Sequence, residues 1–274
     1  MRITTQLPTR LRRIGLRKAG AGLAVAVGLA GAVLSFSSAS IGAEPGLARS
    51  SVVPNHSGYR MLRFTGAPMK WGAGRLGTPA VVTWRMAEQT TSFEGARNCG
   101  TITPMETALA PSGITKTAFL LELDAAMRMW SDVAGLAFRP ARAGERADLV
   151  LGAQREPRGR AFTNVSATRM VKVGNRRRID RLDQAVICLN PKRPWKIGFD
   201  GDLKVYDLRH TLAHEIGHVI GLDHVGATGA VMGFRYDEAH TSLAAGDVIG
   251  VQRLYGLPTY LRKPAVTLVS ARRR

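Results

Sequence analysis

The chain carries the stretch HEIGHVIGLDH at residues 214–224, which holds three of its six histidines and one glutamate. At 3.6 residues per helical turn, His214 and His218 lie one turn apart on the same face, so two imidazoles can converge on one ion. Glu215 lies about 100° round the helix from His214, where it can reach a water molecule rather than act as a ligand. The pattern predicts a zinc site with Glu215 as the general base.

The third histidine requires the chain to change direction. In a continued helix, His224 would lie about 15 Å from His214 along the axis, too far to share an ion. Gly221 can adopt a left-handed conformation, end the helix and turn the chain back toward the metal. Three neutral histidines with an open fourth position are typical of a catalytic zinc site rather than a closed structural one. The predicted metal ligands are therefore His214, His218 and His224.

The remaining histidines fit this site less well. His210 also lies one turn from His214 and could in principle form a different pair with it. The pairing of His214 with His218 is the one that also accounts for Glu215, Gly221 and His224. His210 is therefore interpreted as structural or as a support for the ligands. His56 and His240 have no partner at a ligand spacing and are predicted to lie on the surface.

The hydrophobic pattern of the rest of the chain indicates a mixed fold. Apolar residues recur every three or four positions in three segments, and β-branched or aromatic runs mark short strands. Residues 88–115 read as a loop, and the basic residues 172–181 as either an anion-binding patch or a solvated loop tip. The predicted helices are about 116–133, 207–220 and 242–255, and the predicted strands are 81–86, 136–138, 147–153, 161–166 and 184–189.

The N-terminal residues have the layout of an export signal. A basic stretch, an apolar run from Ala19 to Phe36 and small residues up to Ala43 predict a signal peptide over 1–43, with an N-terminal membrane anchor as the alternative. The mature chain would then be secreted, periplasmic or extracellular. Residues 44–78 read as a linker or short pro-segment, 79–257 as the catalytic domain and 258–274 as a basic C-terminal tail.

The net charge and the two cysteines indicate which partners and which cellular compartment the chain suits. The formal net charge of +19 favours an anionic surface, such as lipid or cell-wall polymer. Nucleic acid is not expected, because the chain has an export signal and lacks a basic groove interleaved with aromatic residues. Cys99 and Cys188 are compatible with one disulfide in an oxidising compartment or with two unrelated thiols. The oligomeric state is left open.

Further residues resemble the matrixin-like (matrix metalloprotease-type) branch of the metzincin zinc endopeptidases. Met232, eight residues after His224, resembles the methionine turn beneath the metal, and Tyr236 stands where matrixins often carry tyrosine. LAAGDVIGVQRLYG at 243–256 is similar to the C-terminal helix of the family. The resemblance covers about 79–257. Its upstream part rests on residues 70–71, 82–85, 130–133, 136–138 and 147–149.

The resemblance implies an α+β fold. Its parts would be a twisted, mostly parallel five-stranded sheet with one antiparallel edge strand, two long helices, and a small C-terminal subdomain with a third helix. The edge strand, about 161–166, would bind an extended peptide as an added strand. Val225, Gly233 and Phe234 depart from the family pattern. No cluster like the family's structural-zinc loop occurs in 153–190, so one catalytic zinc is expected, and calcium (Ca²⁺) is left open.

The sequence thus predicts an exported zinc-dependent metalloendopeptidase that hydrolyses peptide bonds of protein substrates through a zinc-activated water, with Glu215 as general base. The alternative is a non-catalytic, cationic, zinc-containing exported binding protein. Glu215 argues against that alternative, because a purely structural metal site has no need of a carboxylate beside an open coordination position.

Overall fold

The computed structural model describes residues 58–64, 66–170, 178–226 and 229–259. The predicted signal peptide, the tip of the basic stretch at 171–177 and nearly all of the C-terminal tail lie outside the described residues. Within those described ranges, no helix has both the length and the apolar character needed to cross a membrane.

Short strands and a few helices alternate along the chain. The strands are β1 Arg60–Met61, β2 Arg63–Phe64, β3 Ala67–Lys70, β4 Ala80–Met86, β5 Thr91–Ser92, β6 Thr101–Thr103, β7 Leu136–Pro140, β8 Leu149–Gln154, β9 Ala161–Thr168, β10 Asp180–Leu189, β11 Trp195–Lys196, β12 Tyr206–Asp207 and β13 Leu222–Asp223. The helices are α1 Glu106–Leu109, α2 Lys116–Ser131, α3 Leu208–Val219 and α4 Ala245–Tyr255.

Nine strands of the described part of the chain form the sheet, and five of them lie side by side in the order β7-β4-β8-β10-β9. The first four of these are parallel to one another, and β9 runs antiparallel to β10. Every residue of β8 is buried, as expected for a central parallel strand covered on both faces. Strand β9 pairs with β10 alone among the described residues and is only half-buried. The expected mostly parallel sheet with one antiparallel edge strand is therefore confirmed.

The two long helices pack on each other and on one face of the sheet. The buried side of α2 carries Phe119, Leu123 and Trp130 at helical spacing, and the indole nitrogen of Trp130 donates to the carbonyl of Ala213 in α3, 2.9 Å away. Helix α3 is buried on nearly all sides, so it forms the centre of the molecule rather than its surface. Helices α2, α3 and α4 agree with the three predicted helices to within three residues at each end.

Residues upstream of 79 belong to the same folded domain. Strand β3 adds to β10 in parallel, and Lys70 and Trp71 are buried. The Trp71 indole nitrogen donates to the carbonyl of Val219 (2.8 Å), and the Tyr255 hydroxyl donates to that of Ile220 (2.8 Å). These bonds satisfy carbonyls that the end of α3 leaves without helical partners. The segment assigned from sequence to a linker or pro-segment therefore contributes, from residue 58 onward, to the domain that surrounds α3.

The region 88–115, which the sequence suggested to be a loop, contains β5, β6 and α1. It covers the sheet face opposite the long helices with a small apolar cluster. Cys99 and Cys188 form a disulfide within this cluster, with their Cα atoms 5.7 Å apart. The disulfide links the segment 88–115 covalently to strand β10 of the sheet. Sequence alone had left that pairing open, because it joins residues 89 positions apart.

Candidate metal centre and catalytic site

Helix α3 places His214 and His218 on one face, and the chain then returns to bring His224 opposite them. Nε2 of His224 lies 3.1 Å from Nε2 of His214 and 3.3 Å from Nε2 of His218. The ligand atoms of all three residues lie within 4.8 Å of one another. This is the one group of three or more ligand-type side chains that converges among the described residues.

The return of the chain depends on Gly221. Its φ is +97°, in the left-handed region that favours glycine, and an added Cβ would collide with the carbonyl oxygen of Met69. Beyond it, β13 pairs with β1 and directs the chain toward the site. The backbone N–H of His224 donates to Oδ1 of Asp223, 2.8 Å away. Helix α3 therefore ends just before Gly221, as the sequence predicts. The backbone of β3 lies so close that no residue larger than glycine fits there.

Backbone carbonyls hold the first two imidazoles in one orientation. Nδ1 of His214 lies 2.6 Å from the carbonyl oxygen of Val231, and Nδ1 of His218 lies 2.9 Å from that of Leu222. Each Nδ1 therefore carries the proton and donates, which leaves the Nε2 lone pair free for a metal. Burial, with the charge of His214 second, lowers the pKa of His218 to about 3. Burial also lowers the pKa of His214 and of His224.

The donor set fits zinc. Nitrogen atoms in a tetrahedral site with Zn–N bonds of about 2.0–2.1 Å are separated by about 3.3 Å. The two measured Nε2 separations, 3.1 and 3.3 Å, match this value. Three neutral imidazoles, with no fourth ligand-type side chain among the described residues, are also the donor chemistry of a catalytic zinc site rather than a structural one.

Glu215 is buried between α3 and the edge strand. Its Oε2 accepts a hydrogen bond of 2.6 Å from the hydroxyl of Thr163 in β9. Burial raises the pKa of Glu215 to about 7, against the lowering effect of the Thr163 bond. A pKa raised toward neutral pH suits a group that takes up and releases a proton. Thr163 was not identified from sequence, since only the fold brings residues 52 positions apart together.

Met232 packs against the helix that carries His214 and His218. It is buried and lies directly against Gly217, where an added Cβ would overlap its sulfur. The backbone N–H groups of Val231 and Met232 donate to the carboxylate of Asp247, at the start of α4, over 2.9 and 3.4 Å. The carbonyl of Val231 in turn holds His214, so α4 supports the candidate metal ligands through this turn.

Tyr236 and His210 lie beside the histidine cluster rather than in it. The Tyr236 ring stacks on Tyr206 with centroids 4.1 Å apart, and His210 meets it edge-on at 5.0 Å. The Tyr236 hydroxyl accepts from the backbone N–H of Asp207 (2.8 Å) and donates to Glu238 (2.6 Å). His210 thus lies in the wall of the site, and its role as a structural or supporting residue stays a prediction.

The residues that depart from the family pattern lie next to the histidine cluster. Phe234 is 69% exposed and stacks on His224, with centroids 4.3 Å apart. Val225 and Gly233 form a β-bridge that closes the loop between the third histidine and the methionine turn. A cavity of about 120 Å³ opens beside His214 and Glu215, between α3, the start of β9 and residues 233–236.

Comparison with known proteins agrees with this geometry. The family model described as matrixin matches residues 105–256, more than half of the chain. Human stromelysin-3 is 33% identical over 137 residues, which cover 48% of this chain and 26% of that protein. Mouse stromelysin-3 is 43% identical over 81 residues, or 28% of this chain and 15% of that protein. The chain thus spans about a quarter or less of the length of these curated relatives. The resemblance drawn from the sequence is confirmed, and the chain belongs to the matrixin family of peptidases.

Proposed function

We propose that the chain is an exported zinc metalloendopeptidase that hydrolyses peptide bonds within protein substrates. The observation that carries the proposal is the cluster of His214, His218 and His224 beside the buried carboxyl group of Glu215. The three imidazoles would hold one zinc ion. When bound there, zinc supplies Lewis-acid chemistry, polarising a carbonyl group and lowering the pKa of water.

The chain's own residues supply proton transfer and positioning. Glu215 accepts a proton from the attacking water and passes it to the leaving amine, a role that suits a carboxyl group with a raised pKa. Thr163 holds the carboxyl group in place through its 2.6 Å hydrogen bond. Strand β9, which carries Thr163, is an edge strand to which an extended peptide can add, so the scissile bond would lie next to Glu215.

Two features support export. The N-terminal 43 residues have the layout of a signal peptide. The Cys99–Cys188 disulfide is of the kind that persists in oxidising compartments.

The experiment compares wild type with Glu215→Ala on a casein-type substrate, with zinc content measured on both. We expect zinc near one per chain in each and cleavage by wild type alone. The matched control is Glu156→Ala, which removes a carboxylate whose side chain is 85% exposed and should leave cleavage unchanged. Undiminished cleavage by Glu215→Ala would exclude the mechanism. No cleavage by folded, zinc-loaded wild type would favour the alternative of a cationic binding protein.

A further inference from the structure

We propose that the cavity beside Glu215 selects substrates with a carboxylate next to the scissile bond, and that Arg160 recognises this carboxylate. The inference rests on the proposed function and adds a substrate class to it. Asp or Glu side chains of the substrate would supply the group.

The cavity lies where a side chain adjoining the scissile bond must go. Its walls include His214 and Glu215 on one side and Arg160 with Ala161, at the start of β9, on another. A peptide that adds to β9 alternates its side chains on either side of the strand plane. A side chain close to Glu215 that turns toward α3 therefore enters this cavity.

Arg160 is held rigidly at the cavity wall. Its guanidinium carbon lies 3.9 Å from the centroid of the Tyr206 ring, and Tyr206 is stacked on Tyr236. One terminal nitrogen, Nη2, donates to the carbonyl of Lys204. The stacking and this bond restrict the orientation of the guanidinium. Little further ordering of the side chain is therefore needed when a ligand binds.

The positive charge of Arg160 is not neutralised within the described residues. Its Nη1 is buried and has no hydrogen-bond partner there, and Arg160 forms no ion pair with a carboxylate of the described residues. The guanidinium lines the cavity without a charge partner among the described residues, so a carboxylate bound there would supply one.

The acids near the cavity are already engaged. Glu238 pairs with Lys196 and accepts from Tyr236, and Asp207 accepts from the backbone N–H groups of His210 and Gly198. Glu215 is the one carboxyl group in the cavity lining, whereas Arg160 and Arg235 both contribute to it. The lining is therefore net positive and favours an anionic side chain.

The geometry of arginine makes the carboxylate the fitting ligand. A guanidinium binds a carboxylate through two parallel charge-assisted hydrogen bonds, which a neutral amide of the same shape cannot match. Replacing Glu by Gln in a substrate keeps its size and removes only the charge. The Glu/Gln pair therefore isolates the recognition proposed here.

The test uses the zinc-loaded full chain and fluorogenic peptides that share one cleavable sequence. Each of the two positions adjoining the scissile bond is varied in turn among Glu, Gln, Asp, Asn and Leu. We expect kcat/KM for Glu to exceed that for Gln by about tenfold or more at one of the two positions. Arg160→Gln should reduce that ratio to about one, and Arg160→Lys should give an intermediate ratio.

Two control variants locate the effect. Arg158→Gln makes the same change of charge two residues away, on an exposed side chain that faces Glu156, and should keep the wild-type ratio. Arg235→Gln tests the other arginine of the lining. If Arg235→Gln abolishes the preference and Arg160→Gln does not, the assignment to Arg160 is wrong.

The experiment distinguishes a missing carboxylate preference from a missing peptidase activity. A wild type that cleaves Gln or Leu peptides as fast as Glu peptides, while Glu215→Ala cleaves none, overturns the carboxylate preference and leaves the peptidase intact. A wild type that cleaves no peptide overturns both. If Arg160→Gln is unfolded, the wild-type Glu/Gln ratio and the ratio for Arg160→Lys decide the matter.

Discussion

The hydroxyl of Thr163 lies 2.6 Å from Oε2 of Glu215, so the edge strand of the sheet and the candidate general base are joined by one hydrogen bond. The same hydroxyl lies 3.0 Å from the backbone carbonyl of Glu215. The strand expected to receive a peptide therefore also orients the carboxyl group that would act on it. This contact ties substrate position to proton transfer.

Replacing Thr163 by Val should lower kcat while zinc content stays unchanged. The substitution keeps the shape of the side chain and removes the hydrogen bond to a charged group, worth about 1.5–3 kcal/mol, so kcat should fall by about 10- to 100-fold. Thr168→Val on the same strand is the control, because its hydroxyl bonds to half-buried Asp183 instead. Steady-state kinetics with zinc analysis checks this, and an unchanged kcat in Thr163→Val would contradict the orienting role.

Replacing Gly221 by Ala should weaken zinc binding. The positive φ and the collision with the Met69 carbonyl together cost about 1–3 kcal/mol, which the chain would relieve by shifting the turn that carries His224. Zinc affinity, measured by competition with a chromophoric chelator, should fall by about 5- to 100-fold. Gly226→Ala, with open space at its Cβ, should bind zinc as wild type does. Equal affinities of the two variants would refute the role given to the turn.

Replacing Tyr236 by Phe should destabilise the wall of the cavity. The hydroxyl links the backbone N–H of Asp207, which begins α3, to Glu238, which pairs with Lys196. Losing both hydrogen bonds should lower the free energy of unfolding by about 1–3 kcal/mol. Urea unfolding in the Glu215→Ala background, which cannot digest itself, measures the change. Tyr206→Phe keeps the stacked ring and should change stability less, so the opposite ranking would count against this network.

Lys70 should make stability depend on alkaline pH. It is fully buried, its ammonium donates to the carbonyls of Trp71 and Ala73 and to Thr78, and burial lowers its pKa from 10.5 to about 8. Between pH 8 and 10.5 the unfolded chain binds more protons than the folded one, so stability should rise with pH by roughly 3 kcal/mol across that window.

The measurement compares Lys70→Met with its parent, both in the Glu215→Ala background and with a chelator present to remove any contribution from zinc. Other groups titrate alike in the two chains, so the difference between their urea unfolding curves isolates Lys70. The parent should gain stability relative to Lys70→Met as pH rises from 8 to 10.5. Parallel pH dependences would show that the pKa of Lys70 is not lowered.

What could be predicted from the sequence was mostly local. The spacing of His214 and His218 and the stop at Gly221 follow from helix geometry alone, and the structure has both. The edge position of β9 followed from the family resemblance rather than from any pattern in the strand itself.

What escaped prediction depends on contacts between distant parts of the chain. Strand β3 is too short to show a period, and its place beside β10 is fixed by pairing across more than a hundred residues. The contacts of Thr163 with Glu215 and of Arg160 with Tyr206 likewise leave no signal in either local sequence. The roles of such residues become apparent only from the folded structure, in which the sheet and α3 are in contact.

The central claim is that three imidazoles, one of them delivered by a glycine turn, hold one zinc ion. X-ray absorption at the zinc edge, on purified chain with one zinc per molecule, tests it most directly. The account predicts three histidine nitrogens and one further oxygen at about 2.0–2.1 Å, with one histidine fewer in His224→Ala. A shell that contains sulfur, or one that is unchanged in His224→Ala, would contradict it.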